Sequence, residues 1–389
     1  MTEDGKNSIS SKLITLKIVR DSAELAGYTE EWDQLLENCV QKSPMLSYAW
    51  VSSYLDHRLE NSESWYVVLA HSDNKLVGVL PVIVTPYRVL GFSRPVLKTP
   101  LDAHTLGGDA LLARDATADL FSLILQAAEL ETPDRYVFKF SRVVEDSPTI
   151  TSSLILNGHY VHKENVGVGY YYPATDNFEE YYSGLSKNIR GNLRRAENKL
   201  RQIVDLEMDV LEGVDATAGF LYNFMPIEAS GWKGRSGSAI GKSTELTDFY
   251  TTLTERLSRS GMLRWECLYG DRKLIAANLS VRFGGTIVIW KLGYDEDFSK
   301  YSPGGLLFKH VLEQAFSDDD IEEFNLMSDT AWQTNWNPKQ RNYFDLLVYP
   351  KRPISVLFGY LPRKVKDLIR KVPIFMKFVH AIKKWLKMD

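Results

Sequence analysis

At 389 residues, 44% of them hydrophobic, the chain is long enough to bury one large core or two of ordinary size. A net charge of −4 argues against a general nucleic-acid binder, and two distant cysteines, Cys39 and Cys267, allow neither a disulfide framework nor a cysteine metal site. The polar start MTEDGKNSISSK shows no apolar segment of a signal peptide, and the longest apolar run, 76–92, is interrupted by Pro81, Pro86 and Arg88, so a cytoplasmic protein is expected.

Residues 13–19 read as a first strand, 30–39 and 47–59 as helices, and 65–71 and 76–84 as the two arms of a hairpin. A loop-rich stretch, 96–114, contains Gly107-Gly108. A helix over 119–130, a strand over 135–143, a short helix over 150–157 and a strand over 160–172 complete the first half. The second half opens with a long helical region, 178–203, then a strand at 206–211, helices at 216–229 and 244–260, and a hairpin of 263–269 and 274–283. A β-branched strand beginning at Thr286 leads through Ser302-Pro303-Gly304-Gly305 into an amphipathic helix carrying Leu306, Leu307, Val311, Leu312 and Ala315. Strands at 321–327 and 343–349 follow.

The halves rhyme. WYVVLAHSDNKLVGVLPVIV parallels LRWECLYGDRKLIAANLSVRF: each is a strand, a turn with Asp two residues before Lys (Asp73 and Lys75, Asp271 and Lys273), and a returning strand. The offset, 273 − 75 = 198 residues, is about one domain. A duplicated α+β unit is the expected architecture, with a boundary near 173–178.

The Ser302–Gly305 turn is a candidate anion site. A helix start presents orphan N–H groups and the positive end of the helix dipole, and glycine lets a phosphate approach the backbone. The expected ligand is the pyrophosphate of an acyl carrier, over Ser302, Pro303, Gly304, Gly305, Leu306 and Leu307. The first half offers only Leu106-Gly107-Gly108-Asp109, where the aspartate repels a phosphate, so one carrier site is expected.

LSKNIRGNLRRAENKL, EASGWKGRSGSAI, YSPGGLLFKHVLEQA and FNLMSDTAWQTNW, in this order, resemble the CelD/BcsL branch of the GNAT acetyltransferase superfamily, with Fem-type peptidyltransferases as more distant relatives. The resemblance covers most of 180–349. It implies an α+β fold of two tandem GNAT-like domains, 1–175 and 176–352, each with a mixed, largely antiparallel sheet flanked by helices, followed by a tail, 353–389. It also implies transfer from acetyl-CoA or another acyl-CoA, often in cell-envelope or exopolysaccharide pathways. In the last motif Gln333 stands where the family carries a lysine, which puts acceptor specificity and activity in question.

Acyl transfer from a thioester needs a base for the acceptor and a proton donor to the thiolate. Glu228, ahead of the Trp232-Lys233 pair, is the candidate base, and Tyr294 the candidate donor, with Tyr301 an alternative. Asp329 either positions the acceptor or caps a turn. Trp232 stacks on a sugar or packs in the core, Lys233 orients an acceptor anion or lies on the surface, and both readings stay open for each. Lys187, Arg190, Arg194, Arg195, Lys199 and Arg201 form a basic band that serves an anionic acceptor or the 3′-phosphate of coenzyme A, or is merely solvated. The histidines show no metal-binding spacing, and no metal or nucleic-acid partner is expected. Three classes compete: an acyl-CoA-dependent N- or O-acyltransferase, a Fem-like aminoacyl-tRNA-dependent transferase, and a catalytically silent scaffold. Residues 362–389 repeat apolar and basic residues at helical spacing, which suits an anionic membrane surface or docking onto the protein's own core.

Overall fold

A computed structural model describes residues 13–41, 43–174 and 177–371. The first half runs β1 (Ile14–Val19), α1 (Thr29–Glu37), α2 (Tyr48–His57), β2 (Ser64–Ser72), β3 (Lys75–Thr85), β4 (Val96–Lys98), β5 (Leu111–Leu112), α3 (Ala118–Glu131), β6 (Val137–Val144) and β7 (His159–Pro173). The second runs α4 (Phe178–Gly184), α5 (Lys187–Arg201), β8 (Leu206–Leu211), α6 (Leu221–Ser230), α7 (Trp232–Ser236), α8 (Thr244–Arg259), β9 (Leu263–Gly270), β10 (Lys273–Phe283), β11 (Thr286–Tyr294), α9 (Pro303–Ser317), β12 (Glu323–Asn325) and β13 (Lys339–Pro350). A last helix, α10 (Leu361–Lys371), follows.

The duplication is visible in backbone detail. The turn residues Asp73 and Asn74 take left-handed φ of 51° and 62°, and Asp271 and Arg272 repeat this at 52° and 65°. Two consecutive positive-φ residues give the turn whose twist suits a two-residue hairpin. The register of β2 and β3 slips between Ala70 and His71, and that of β9 and β10 between Leu268 and Tyr269, again 198 residues on.

The two units nevertheless share one sheet, in the order β1-β2-β3-β4-β6-β13-β7-β12-β11-β10-β9-β8, with β5 added beside β3. The order is a palindrome about the β13/β7 pair. All pairings are antiparallel except β4 with β6 and β11 with β12, which occupy equivalent places in the two halves. The closing strand of each half sits in the other's sheet: β7 lies between β13 and β12, and β13 between β6 and β7. β13 and β7 pair from Lys339 opposite Tyr171 to Pro350 opposite His159. Gly169 has no Cβ where one would sit 2.6 Å from the Tyr343 ring, so glycine is required for this crossing.

One face of the sheet is covered by α1 and α2 together with α6 and α8 in a single core that crosses the seam. Trp32, Trp50 and Trp265 are wholly buried there; at roughly 25 cal/mol per Å² each indole contributes on the order of 4 kcal/mol. α2 lies on α8, where Arg256 pairs with Asp56 at 2.7 Å and Arg58 with Glu245 at 2.5 Å. On the other face α3 covers the first half and α4, α5 and α9 the second.

Some sequence expectations shift. The loop expected over 96–114 holds β4 and β5, because Val96, Leu97, Leu111 and Leu112 find open edges on β3 and β6. The final strand begins at Lys339 rather than 343, since Arg341 is held bidentately by the Glu323 carboxylate at 2.8 and 2.9 Å. Because each half is closed by the other's strand, urea unfolding followed by tryptophan fluorescence and by circular dichroism is expected to give one coincident transition; residues 1–175 expressed alone, lacking β13, are expected to collapse without fixed tertiary packing.

Candidate active site

β11 pairs with β12 only from Thr286–Glu323 to Val288–Asn325, and among the described residues no strand pairs with that edge from Ile289 to Tyr294. The parallel pairing of the two strands ends there. On its other edge β11 carries a bulge: Ser280 pairs with Ile289 and Leu279 with Lys291, leaving Trp290 extra. A bulge turns neighbouring side chains toward one side. The Trp290 indole N–H donates to the Tyr250 hydroxyl at 3.1 Å, and the Lys291 ammonium lies 5.6 Å from the centroids of both rings.

α9 follows β11 after the segment 295–302. Ser302 takes φ 50°, and its side chain makes no cap hydrogen bond. Its carbonyl accepts from the Gly305 and Leu306 N–H groups at 2.9 and 3.0 Å, and Pro303 has no N–H to offer. Leu306 and Leu307 are buried and hold the start rigidly to the core. A Cβ on Gly305 would sit 3.2 Å from Leu193 of α5, so the basic helix lies directly against the turn. Lys187, Arg190 and Arg194 line a groove of about 480 Å³ with Lys309 of α9, and Arg190 is steadied by the Leu185 carbonyl at 3.1 Å. The Ser302–Gly305 turn and the basic band, far apart in sequence, are thus neighbours. Tyr294 is half-buried at the end of β11, 3.5 Å from where a Cβ of Gly304 would be.

The equivalent place in the first half is closed. β4 is only three residues long, and the Thr117 side chain caps the Leu120 N–H at the start of α3. Gly108 serves packing, since a Cβ there would strike Thr99, and Asp109 is buried against Ser147 and Gln41.

Glu228, Lys233 and Lys291 meet on the α6/α8 side of β11. Glu228 is buried, with Oε2 accepting from the Ile240 N–H at 3.0 Å and Oε1 held by Lys233 at 3.3 Å. Lys233 also donates to the Leu292 carbonyl at 2.8 Å. The expected loop around 231–234 is instead the short helix α7, folded back so tightly that a Cβ on Gly234 would strike the Ala229 carbonyl. The Trp232 side chain lies outside what the structure describes. Asp329 is exposed after β12, apart from this group. Gln333 is buried and completes a capping box, its Oε1 accepting from the Thr330 N–H and its amide donating to Ser328, both at 3.0 Å.

The residues not foreseen from the sequence are Lys291, His104 and Tyr250. The loop 102–105 of the first half reaches across the seam, held by Arg58 on Asp102 at 2.7 Å and by the Trp50 indole on Thr105 at 3.0 Å. His104 Nδ1 therefore sits 3.0 Å from the Tyr250 hydroxyl and 3.3 Å from Lys291 Nζ. Burial, with Lys233 nearby, pushes the Lys291 ammonium down to about 8, and burial with Lys291 pushes His104 down to about 4. A lysine interrupting an apolar strand was the sole local signal; the partner from the other half left none.

Residues 187–334 match the family described as Acetyltransferase (GNAT) domain. The second half carries a GNAT acyltransferase domain. No curated protein matches the chain in sequence. Among solved structures it resembles FemX, at 10% identity and a TM-score of 0.58 over 86% of this chain and 98% of that one. It also resembles the C-terminal DUF2156 domain of a putative lysylphosphatidylglycerol synthetase from Agrobacterium fabrum, at 12% identity and 0.53 over 87% and 95%. A conserved protein of unknown function from Bacteroides thetaiotaomicron gives 12% and 0.52 over 87% and 100%. These likenesses establish the shared fold across both halves.

In this GNAT domain the approach of α6 to β11 rests on Gly293, whose missing Cβ would lie 2.8–2.9 Å from the Glu228 backbone. Gly293→Ala is expected to force the helix away and cost about 2 kcal/mol in a urea titration, as overpacking does.

Proposed function

We propose that the protein transfers an acyl group, acetyl in the first instance, from acyl-coenzyme A to an amine or hydroxyl of a sugar, lipid or cell-envelope precursor. The observation that carries this reading is the helix start at Ser302, with no side-chain cap, lying at the end of the free edge of β11. A carrier that supplies an activated thioester fits there. The positive end of the α9 dipole and the Gly304 N–H meet its pyrophosphate, and Lys187, Arg190 and Arg194 hold its other phosphate. The free backbone groups of β11 orient its amides as a strand would.

The acceptor enters from the α6/α8 side, against the seam. Neutral Lys291 takes the proton of the attacking amine or hydroxyl, and burial makes that neutral form accessible close to physiological pH. The Glu228–Lys233 pair sets the field: Lys233 disfavours a second ammonium beside it, and Glu228 keeps Lys233 in place. Tyr294 donates a proton to the departing thiolate. Gln333 holds the 328–336 turn, so its replacement of lysine is accounted for by structure rather than by loss of activity. The ordered motifs shared with the CelD/BcsL branch favour an envelope or exopolysaccharide acceptor.

A second reading, an aminoacyl-tRNA donor, is favoured by the basic band of α5. Calorimetry separates the two: acetyl-CoA is expected to bind and a charged tRNA not to. Gly304→Glu, which sets a carboxylate in the turn, is expected to weaken acetyl-CoA binding ~10-fold or more with melting unchanged. Binding that is equal in wild type and Gly304→Glu would overturn the carrier assignment.

The pH dependence follows from Lys291. Its base form grows as pH rises, so kcat/KM is expected to climb to a plateau above about 8. Lys291→Met is expected to lower kcat by ~10²-fold or more. A lysine whose folded pKa lies below its unfolded value costs stability fully below the folded value, and that cost is relieved as pH rises toward the unfolded one. Lys291→Met is therefore expected to raise Tm at pH 7 by about 2 °C or more while removing activity.

A further inference from the structure

The last described helix is inverted relative to an ordinary surface helix. In a soluble protein the apolar stripe faces the core and the polar side faces water. In α10 the polar residues Arg363, Asp367 and Arg370 share one face, and that face is the docked one. Arg363 donates to the Tyr349 hydroxyl at 2.8 Å, Asp367 lies 3.5 Å from His162, and Arg370 lies 3.4 Å from Glu164. The opposite face carries Leu361, Val365, Leu368 and Ile369, with Phe358 and Leu357 from the turn before it, and all six are exposed, Leu368 to 64%. The steps from Phe358 to Leu361, Val365 and Leu368 keep them on one stripe.

From this placement we infer that α10 is an interfacial helix that seats the protein on an anionic lipid bilayer, its apolar stripe in the acyl boundary and its flanking lysines among the headgroups. Lys364 and Lys366 border the stripe on opposite sides, and the helix's single acid, Asp367, is turned to the body. A second copy docking stripe to stripe would bring these lysines against their own equivalents. A bilayer bearing negative headgroups instead satisfies stripe and border together. Residues 372–389, outside the described part, continue in sequence with Lys377, Lys383, Lys384 and Lys387 and one acid, Asp389. Among the described residues no helix is long and apolar enough to cross a membrane, in keeping with a helix that lies in the surface.

The test is flotation of the full chain with phosphatidylcholine vesicles with and without phosphatidylglycerol. The protein is expected to float with the anionic vesicles, less so at high salt, and to stay below with phosphatidylcholine alone. The triple variant Leu361→Glu, Val365→Glu, Leu368→Glu is expected to cut partition ~10-fold or more. Its circular dichroism and melting are expected to match wild type, because the replaced side chains are exposed. Lys364→Gln with Lys366→Gln, keeping the stripe, is expected to cut it ~10-fold. Wild type that fails to float, or a triple variant that floats equally well, overturns the proposal. So does light scattering that shows a dimer split by the triple variant, which would give the stripe to a second copy.

Discussion

The pairing of β13 with β7 is the constraint on which the rest of the molecule depends. Each strand ends one half of the chain and closes the sheet of the other, so neither sheet is complete without its partner. The consequence is mechanical as well as energetic. A continuous sheet fixes the two helical layers above it in one register, and α2 comes to rest on α8 with four polar contacts across the seam: Arg256 to Asp56 and to Ser53, Arg58 to Glu245, and His57 to Thr252. Without that fixed registration the loop bearing His104 would have no reason to stand beside Lys291. Placement of facing side chains to within a fraction of an ångström requires rigid elements on both sides, and here they come from different halves.

The near-symmetry of the sheet makes the asymmetry of its two possible carrier sites informative. Both halves have a parallel strand pair followed by a helix in the same place. In the first half the pair is three residues long, and Thr117 satisfies the helix start from within. In the second, β11 outruns its partner by six residues, Ile289 to Tyr294, and the start at Ser302 has no side-chain cap. A helix start without a side-chain cap keeps the positive end of its dipole available to an anion, whereas Thr117 already answers the Leu120 N–H in the first half. The two halves therefore differ at this place: the first caps its helix start with Thr117 and contributes His104 to the seam, and the second leaves its helix start without a side-chain cap.

Local features were legible in the sequence because they are local. The Asp-x-Lys turns, the 198-residue offset and the β-branched alternation of 286–290 each reflect forces acting over a few residues, and the hairpins, the long helices and the 302–305 turn follow from them. The exchange of β7 and β13 was not legible. Both strands carry the alternation of any half-buried strand, and nothing in His159–Pro173 says whose edge it joins. The length of α7 was also hidden: glycines at 231, 234 and 237 read as a loop, but Gly234 is there because a helix doubles back on Ala229. The contact between Gly305 and Leu193 that brings the basic band to the carrier turn is likewise tertiary, and no spacing rule anticipates it.

Lys291 shows why the site costs the fold something and is tolerated. An ammonium half removed from water beside Lys233 is destabilising, and among the described residues Glu228 and Asp102 oppose this only at a distance, Glu228 being committed to Lys233 and Ile240. The surrounding groups instead share the burden. Tyr250 and Trp290 offer ring faces, and His104, kept neutral by burial, can accept at Nδ1 when its proton is on Nε2. That arrangement favours a lysine that gives up its proton readily, and a purely structural lysine would have been better served by solvent or by a carboxylate partner. A half-buried lysine beside two ring faces and a neutral imidazole, at a bulge in β11, fits the proton abstraction proposed above.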